Sequence, residues 1–236
     1  TDILPRFSCE LAASLSDFEK RMLQMFYITV FQEAADWRSH TTQANMQLLA
    51  DSPIMMHELN ELLSFNLERI DFIDQPVPLG FDCPLDLHCT YTRDQILIAM
   101  DYMTPKNVRE GVKWLPDKQV DVFFITLNKA DKDYSPTTMY NDYSINESLF
   151  HWQSQSTTSD TASTGQRYIN HRQRGSRVVL FVREFKQDSI GAAPYTCLGT
   201  AAYVKHTGSR PMNITWHLDQ PIPAKYLRKT NKLVVG

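Results

Sequence analysis

The residues best suited to chemistry lie between positions 140 and 171. Aromatic rings alternate there with amides, a carboxylate and imidazoles. This mixture suits a base flipped out of a duplex, because rings stack on its faces while Asp, Asn or Gln side chains read its Watson–Crick edge. The candidate base-pocket residues are Tyr140, Asp142, Tyr143, Phe150, Trp152, Gln153, Gln155 and Asn170.

Within this set, Asp142 is the first candidate for the base-edge contact, since cytosine offers its N4 amine to a carboxylate. Stacking is assigned to Tyr140, Tyr143 and Trp152. The amides of Gln153, Gln155 and Asn170 would reach the base edge or fill the gap left in the duplex. Composition also allows another interpretation, in which Phe150 and Trp152 belong to the core and the amides cap loops.

Basic side chains are concentrated in the same half of the chain. The formal net charge is -3, yet residues 165–210 hold eight basic and two acidic side chains, whereas residues 1–80 hold five basic and twelve acidic ones. A local basic field of this kind suits a surface that follows phosphates. It is also common at the edges of solvated strands. The candidate phosphate-binding residues are Arg167, His171, Arg172, Arg174, Lys205 and Arg210.

Catalytic patterns are weak by comparison. The chain has no glycine-rich phosphate loop, no G-x-S-x-G element and no H-x-K pair. A metal-dependent nuclease pattern can be assembled from Asp117, Glu184 and Lys186, but such pairs are frequent by chance. Cys83, His88 and Cys89 have irregular spacing for zinc and lack a fourth ligand. We therefore expect no catalytic residues, no metal and no cofactor.

The elements that must position these residues fall into two parts. Apolar residues at three- and four-residue steps predict helices over residues 15–35, 42–49 and 53–70, with Ser16 as an N-terminal cap. A proline-rich stretch at 75–80 marks a boundary. The sequence thus predicts a helical neck over 1–75 and a second domain over 76–236.

The sequence pattern predicts that the second domain is rich in β-strands. Strands are predicted over residues 87–91, 111–114, 120–127, 177–184, 195–204 and 212–218, with one helix over 92–102 and a mobile polar loop over 154–165. The 177–184 strand has the longest apolar run and is expected to be central. Many short strands with few helices predict an α+β chain whose second domain is a small, curved, partly closed barrel. No run of about 18 apolar residues occurs, so no membrane span is expected.

Several strings together resemble one known family. They are LFHWQSQ at 149–155, TGQRYINH at 164–171, LFVRE at 180–184, PYTCLGT at 194–200 and GSRPM at 208–212. They resemble the C-terminal domain of unknown function that follows a phospholipase-D-like nuclease and a helicase ATPase in type IV, modification-dependent restriction enzymes. The resemblance covers roughly residues 80–220, and residues 1–75 resemble the helical connector only loosely.

The resemblance implies an SRA-like fold, related to PUA-type barrels, that recognises 5-methylcytosine in double-stranded DNA. It implies a cytoplasmic protein whose nuclease and helicase modules lie elsewhere in a longer chain, and the absence of an initial Met suggests an excised fragment. Alternatives are a reader of RNA or of another DNA modification, a stand-alone nuclease, and a structural module that forms a homodimer through the helical neck.

Overall fold

The computed structural model describes residues 15–32, 37–69, 75–128, 142–189, 191–224 and 226–227. The chain divides into two compact units. The helical unit contains residues 1–75, 82–84 and 94–105, and the sheet unit contains 76–81, 85–93 and 106–236. The chain first passes between the units after residue 75, and two later segments, 82–84 and 94–105, belong to the helical unit.

Three helices in the described part of the helical unit lie close to the predicted ranges. They are α1 (Asp17–Phe31), α2 (Thr42–Ala50) and α3 (Pro53–Leu67). The predicted Ser16 cap is confirmed: its side chain accepts from the Glu19 N–H while the Glu19 carboxylate accepts from the Ser16 N–H. This reciprocal arrangement satisfies donors that a helix start leaves unpaired. Predicted ends at residues 35 and 70 lie outside the described residues.

A fourth helix, α4 (Arg93–Ala99), lies within the range predicted for it. Its residues from Asp94 onward belong to the helical unit. Gln95 Nε2 donates to Thr29 Oγ1 at 2.9 Å, and Arg21 pairs with Asp101 at 2.9 Å. These bonds tie α1 to α4 and to the residues that follow it.

The sheet unit contains ten described strands, one further α-helix, α5 (Ser163–Ile169), and a short 3-10 helix at Pro116–Lys118. The strands are β1 (Thr90–Tyr91), β2 (Val112–Leu115), β3 (Val120–Thr126), β4 (Tyr143–Ser144), β5 (Leu149–Gln153), β6 (Arg177–Arg183), β7 (Gln187–Asp188), β8 (Gly191–Ala192), β9 (Tyr195–Thr207) and β10 (Asn213–Leu218). Eight of them form one sheet in the order β2-β3-β6-β9-β10-β5-β4, with β1 paired to β9. β7 and β8 form a separate hairpin.

Strand β6 lies in the interior of the sheet, as its apolar run predicted. It pairs in parallel with β3 and antiparallel with β9. Every residue of β3 is buried, including Asp121. Strands buried on both faces read as continuous apolar runs, which is why these two were visible in the sequence.

The large sheet is strongly curved. Phe123 on β3 and Trp152 on β5 have ring centroids 4.3 Å apart, although β6, β9 and β10 lie between these strands in the sheet. Neighbouring strands are spaced by about 4.8 Å, so a flat sheet would hold the two strands roughly 19 Å apart. One face therefore curls around a common core, which includes Phe150, Leu180 and Trp216.

Irregularities in β9 accompany this curvature. Its pairing with β6 shifts register between Leu180 and Phe181, leaving Leu198 without a partner residue, and its pairing with β10 skips Val204. Such bulges bend a strand and increase its twist. Gly199 at the first bulge has φ +85°, and a Cβ there would lie 2.5 Å from Leu87 Cδ2. Glycine meets both demands.

The structure confirms the mixed α+β class, with a large sheet and few helices. The prediction of a loop over 154–165 is wrong at its end, because α5 begins at Ser163. Helix α5 was missed since its sequence, STGQRYI, is polar and contains glycine. None of the helices in the described ranges has both the length and the hydropathy needed to cross a bilayer.

Candidate nucleic-acid interface

One face of the β4-β5-β10-β9 half of the sheet carries polar side chains. Side chains alternate along a strand, so residues next to buried Trp152, Ile214 and Trp216 point away from the core. We call this surface the polar face. It consists of Tyr143, His151, Gln153, Lys205, Asn213 and Thr215.

The first row of the polar face crosses four strands. Tyr143 is the register partner of His151, which pairs with Thr215, which in turn pairs with Lys205. The Tyr143 and His151 rings are stacked, with centroids 4.8 Å apart and planes 15° apart. Lys205 is exposed. The row thus combines a planar aromatic stack with a cation on one surface.

The second row is an amide pair. Gln153 and Asn213 are register partners on β5 and β10, and Gln153 Nε2 donates to Asn213 Oδ1 at 3.1 Å. Both side chains are half-buried. Asn213 and Thr215 were missed in the sequence, although the alternation of polar and apolar residues along β10 was visible there.

Asp142 lies beside this pair but is buried, with 2% exposure. Its Oδ1 accepts a hydrogen bond from the Gln153 N–H at 2.9 Å. The carboxylate therefore holds the end of β5 in place, and this burial does not favour the direct base contact predicted for it. Tyr140 lies outside the described residues.

Two predicted base-pocket residues belong to the core. Phe150 is fully buried and Trp152 is 5% exposed. The Trp152 ring packs against Phe123 and, edge-on at 5.7 Å, against Tyr168. Both side chains point to the inner side of the sheet, and this burial does not favour a place for them in a base pocket. The alternative that the sequence left open is the one observed.

Gln155 and Asn170 make local contacts with their chain neighbours. Asn170 follows α5, where its Nδ2 donates to the Gln166 carbonyl and to Gln166 Oε1. The Gln155 carbonyl accepts from the Thr158 N–H and from the Ser154 hydroxyl. Asn170 thus closes a helix end, as the loop-capping interpretation held.

Two predicted phosphate contacts have structural roles instead. The Arg167 guanidinium donates to both carboxylate oxygens of Asp121 and lies 4.5 Å from the Trp114 ring centroid. His171 is 2% exposed, and its Nε2 accepts from the Tyr203 N–H at 3.2 Å. Since Nε2 accepts, Nδ1 carries the proton and donates to the Ser176 carbonyl. Both side chains are held by protein partners, which does not favour the phosphate contacts predicted for them.

The other four predicted phosphate contacts are exposed. Arg172 pairs with Asp219, and its side chain keeps 62% exposure. Arg174 lies in the turn after α5, and Arg210 in the β9–β10 hairpin. Of the four, Lys205 lies on the polar face.

The hairpin beside the polar face is braced by the segment that follows β5. Ser154 and Met212 exchange two hydrogen bonds, each 2.9 Å long. The Ser209 hydroxyl donates to Asp160 Oδ1 at 2.9 Å, and the Arg210 N–H donates to the Thr158 carbonyl. These contacts fix the end of the sheet where the amide pair lies.

The nuclease alternative loses its geometric basis. β3 and β6 run parallel, in register from Val120↔Arg177 to Thr126↔Arg183. Asp117 precedes β3 and Glu184 follows β6, so the two carboxylates lie at opposite ends of these strands. Seven residues of strand span on the order of 20 Å. One metal ion cannot bridge them, and within the described residues no three acidic, His or Cys side chains cluster as a metal site would require.

Comparison with known families identifies the class of domain. A family model described as a domain of unknown function, DUF3427, matches residues 85–229. The match covers more than half of the chain, and the chain therefore belongs to this family. No curated protein matches the sequence.

Proposed function

We propose that this protein is a non-catalytic module that binds double-stranded DNA containing 5-methylcytosine, by flipping the modified base, for a modification-dependent restriction endonuclease. The observation that carries the proposal is the polar face, where an aromatic stack, an amide pair and an exposed lysine share one rigid surface. The sequence resemblance described above supplies the biological setting.

The chemistry of the polar face suits nucleic acid. Aromatic rings stack on bases and contribute about 1–3 kcal/mol per base. Amides hydrogen-bond to base edges, and lysine neutralises phosphate with release of counterions. Because strand pairing already orders this surface, little conformational entropy is lost when it binds.

We further infer that the sheet unit is SRA-like. Its strongly curved sheet and the single core enclosed by that curvature support this inference. The remaining parts of the proposal are a cytoplasmic location, nuclease and helicase modules in the same longer chain, and homodimerisation through the helical unit.

The decisive experiment is direct binding at fixed salt. One duplex sequence carries cytosine, 5-methylcytosine or 5-hydroxymethylcytosine at a single site, and the dissociation constant is measured for each. We expect clear preference for the 5-methylcytosine duplex. Equal affinity for all three duplexes would overturn the modified-base proposal. Preference for 5-hydroxymethylcytosine would make that base, and not 5-methylcytosine, the ligand. Tighter binding to RNA of the same sequence would identify the domain as a reader of RNA. Cleavage with added Mg²⁺ would overturn the non-catalytic assignment.

A matched pair of variants tests the interface itself. Lys205→Ala removes the cation of the polar face, and Arg109→Ala removes an exposed cation before β2, outside that face. Loss of one phosphate contact should weaken all duplexes alike and lower the salt slope of log K by about one. We expect this for Lys205→Ala alone. If the salt dependence of log K were the same for both variants, the DNA would bind to a surface other than the polar face.

A further inference from the structure

Helix α3 leaves an apolar surface open to solvent. None of its residues is buried, and its half-buried residues are Met56, Leu59 and Asn60. These three recur at three- and four-residue steps, so α3 packs against the rest of the helical unit through one side only. The other large apolar side chains of α3 stay exposed, and contiguous exposed apolar surface of this kind marks an interaction site.

The opposite side of α3 carries four exposed residues that we call the α3 stripe. They are Glu58, Leu62, Phe65 and Arg69, of which Arg69 lies in the turn that follows the helix. Their spacing of four, three and four residues is that of the contact positions in a coiled coil. Leu62 is 56% and Phe65 52% exposed, and Arg69 Cζ lies 3.6 Å from the Phe65 ring centroid. The residues of the stripe therefore share one surface.

The α3 stripe is self-complementary, because it runs from an acid through two apolar residues to a base. In an antiparallel pair of α3 helices with a two-fold axis between residues 63 and 64, Leu62 lies opposite Phe65 of the second copy. Glu58 then lies opposite Arg69 of the second copy, and the two-fold axis repeats both contacts. A parallel pair would place Glu58 against Glu58 and Arg69 against Arg69, where like charges repel. The charges therefore select the antiparallel orientation.

The exposed apolar area on this side of α3 matches what a dimer needs. Ile54 and Met55 lie one turn before Glu58, on either side of the stripe, and are 79% and 44% exposed. At roughly 120 Å² of exposed surface each, Ile54, Met55 and the two apolar stripe residues from two copies supply about 1,000 Å², the least that a specific interface buries. An interface of this size is typical of a weak, reversible dimer.

We infer that α3 is a self-association surface, on which a second copy of this chain docks antiparallel through the α3 stripe. The inference rests on the proposed function, of which homodimerisation through the helical unit is one part, and it names the helix, its orientation and the contacting residues. The order of the charges favours a second copy as the occupant, because a different protein surface would not require the stripe to complement itself.

Sedimentation velocity of the DNA-free protein between about 1 and 100 μM tests the association. We expect a reversible equilibrium between monomer and dimer. Leu62→Asp places a charge in the apolar centre of the contact and should leave only monomer over this range. Leu67→Asp is the matched control, since Leu67 is also exposed but lies five residues further on, about 140° round the helix from Leu62. This variant should keep the wild-type equilibrium.

Charge reversal tests the orientation and the register. Glu58→Arg and Arg69→Glu should each weaken self-association about tenfold or more, because each places like charges opposite one another at both ends of the stripe. Mixed in equal amounts, the two variants should form a heterodimer in which every charge faces its opposite. The combined Glu58→Arg/Arg69→Glu variant should recover wild-type self-association. Loss of folding in a variant cannot produce this pattern.

The outcomes separate self-association from DNA recognition. Monomer at every concentration overturns the inference and leaves α3 as a contact for another module of the longer chain, whatever the preference for 5-methylcytosine. Equal weakening by Leu62→Asp and Leu67→Asp, or no association between the two mixed charge variants, also overturns it. Dimerisation through the stripe with equal binding to cytosine and 5-methylcytosine duplexes supports the inference and overturns only the modified-base proposal.

Discussion

The Arg167 guanidinium donates two hydrogen bonds to the Asp121 carboxylate, Nε to Oδ2 at 2.7 Å and Nη2 to Oδ1 at 2.9 Å. Asp121 is fully buried on β3, and Arg167 reaches it from α5. Burial raises the pKa of the Asp121 carboxyl, and the hydrogen bonds from Arg167 act against that rise. Helix α5 is thus joined to β3, the second strand from one edge of the sheet, by a charge pair inside the protein.

Arg167→Ala should lower the free energy of unfolding by about 3–5 kcal/mol, because it leaves a buried carboxylate without its counter-charge. Urea denaturation measures the change. The matched control is Arg172→Ala, which breaks the exposed pair with Asp219 and should cost less than about 1 kcal/mol. Similar losses in the two variants would contradict a structural role for the buried pair.

Substitution of Tyr143 should affect DNA binding, whereas substitution of Trp152 should affect the free energy of unfolding. Trp152→Ala removes a core ring and should cost about 3–5 kcal/mol of unfolding free energy. Tyr143→Ala, on the polar face, should leave stability nearly unchanged and weaken DNA binding about tenfold, as expected for one lost stacking contact. Thermal melting and a binding titration on both variants provide the comparison. A destabilised Tyr143→Ala protein with wild-type affinity would remove Tyr143 from the interface.

Much of the fold could be predicted from residue patterns. The apolar runs of β3 and β6 and the Ser16 cap are local signals, and the structure follows them. Helix α5 has no comparable local signal, because its position depends on one buried ring, Tyr168, and on the Arg167 contact with a distant strand.

The candidate site residues were chosen from the sequence by their side-chain chemistry, and the face of the strand on which each lies was not considered. The 149–155 string contains β5, whose residues divide between the two faces of the strand. Phe150 and Trp152 lie inside, and His151 and Gln153 lie outside. No strand was predicted over residues 149–153, so the alternation of side chains between the two faces of a strand was not used to sort these residues. Contacts such as Gln153 with Asn213 join residues 60 positions apart, which no local pattern contains.

Gly165 is required by close packing of α5. A Cβ at this position would lie 2.0 Å from the Ser159 carbonyl oxygen and 3.0 Å from Met212 Sδ. Gly165→Ala should therefore destabilise the protein by at least about 1–3 kcal/mol, since a backbone oxygen cannot move aside easily. At Gly111 an added Cβ meets only an ordinary contact at 3.5 Å. Gly111→Ala should show a much smaller shift in Tm, and equal shifts would mean that the 158–162 segment can move.

His171 should make the stability of the sheet unit depend on pH. Burial lowers the pKa of His171 below its ordinary value of 6.5, and both ring nitrogens are engaged by the backbone. As pH falls below about 6.5, the unfolded chain takes up a proton at this residue while the folded chain does not, so the free energy of unfolding falls.

This prediction is tested by comparing how steeply the free energy of unfolding changes with pH in a variant and in the wild-type protein. His171→Gln removes the titrating ring and should show a smaller loss of stability between about pH 7 and pH 5 than the wild-type protein, whatever its stability at pH 7. Denaturant midpoints across the pH series give the measurement. If His171→Gln and the wild-type protein lose stability in parallel, the acid sensitivity arises from other groups and the neutral His171 contacts contribute nothing to it.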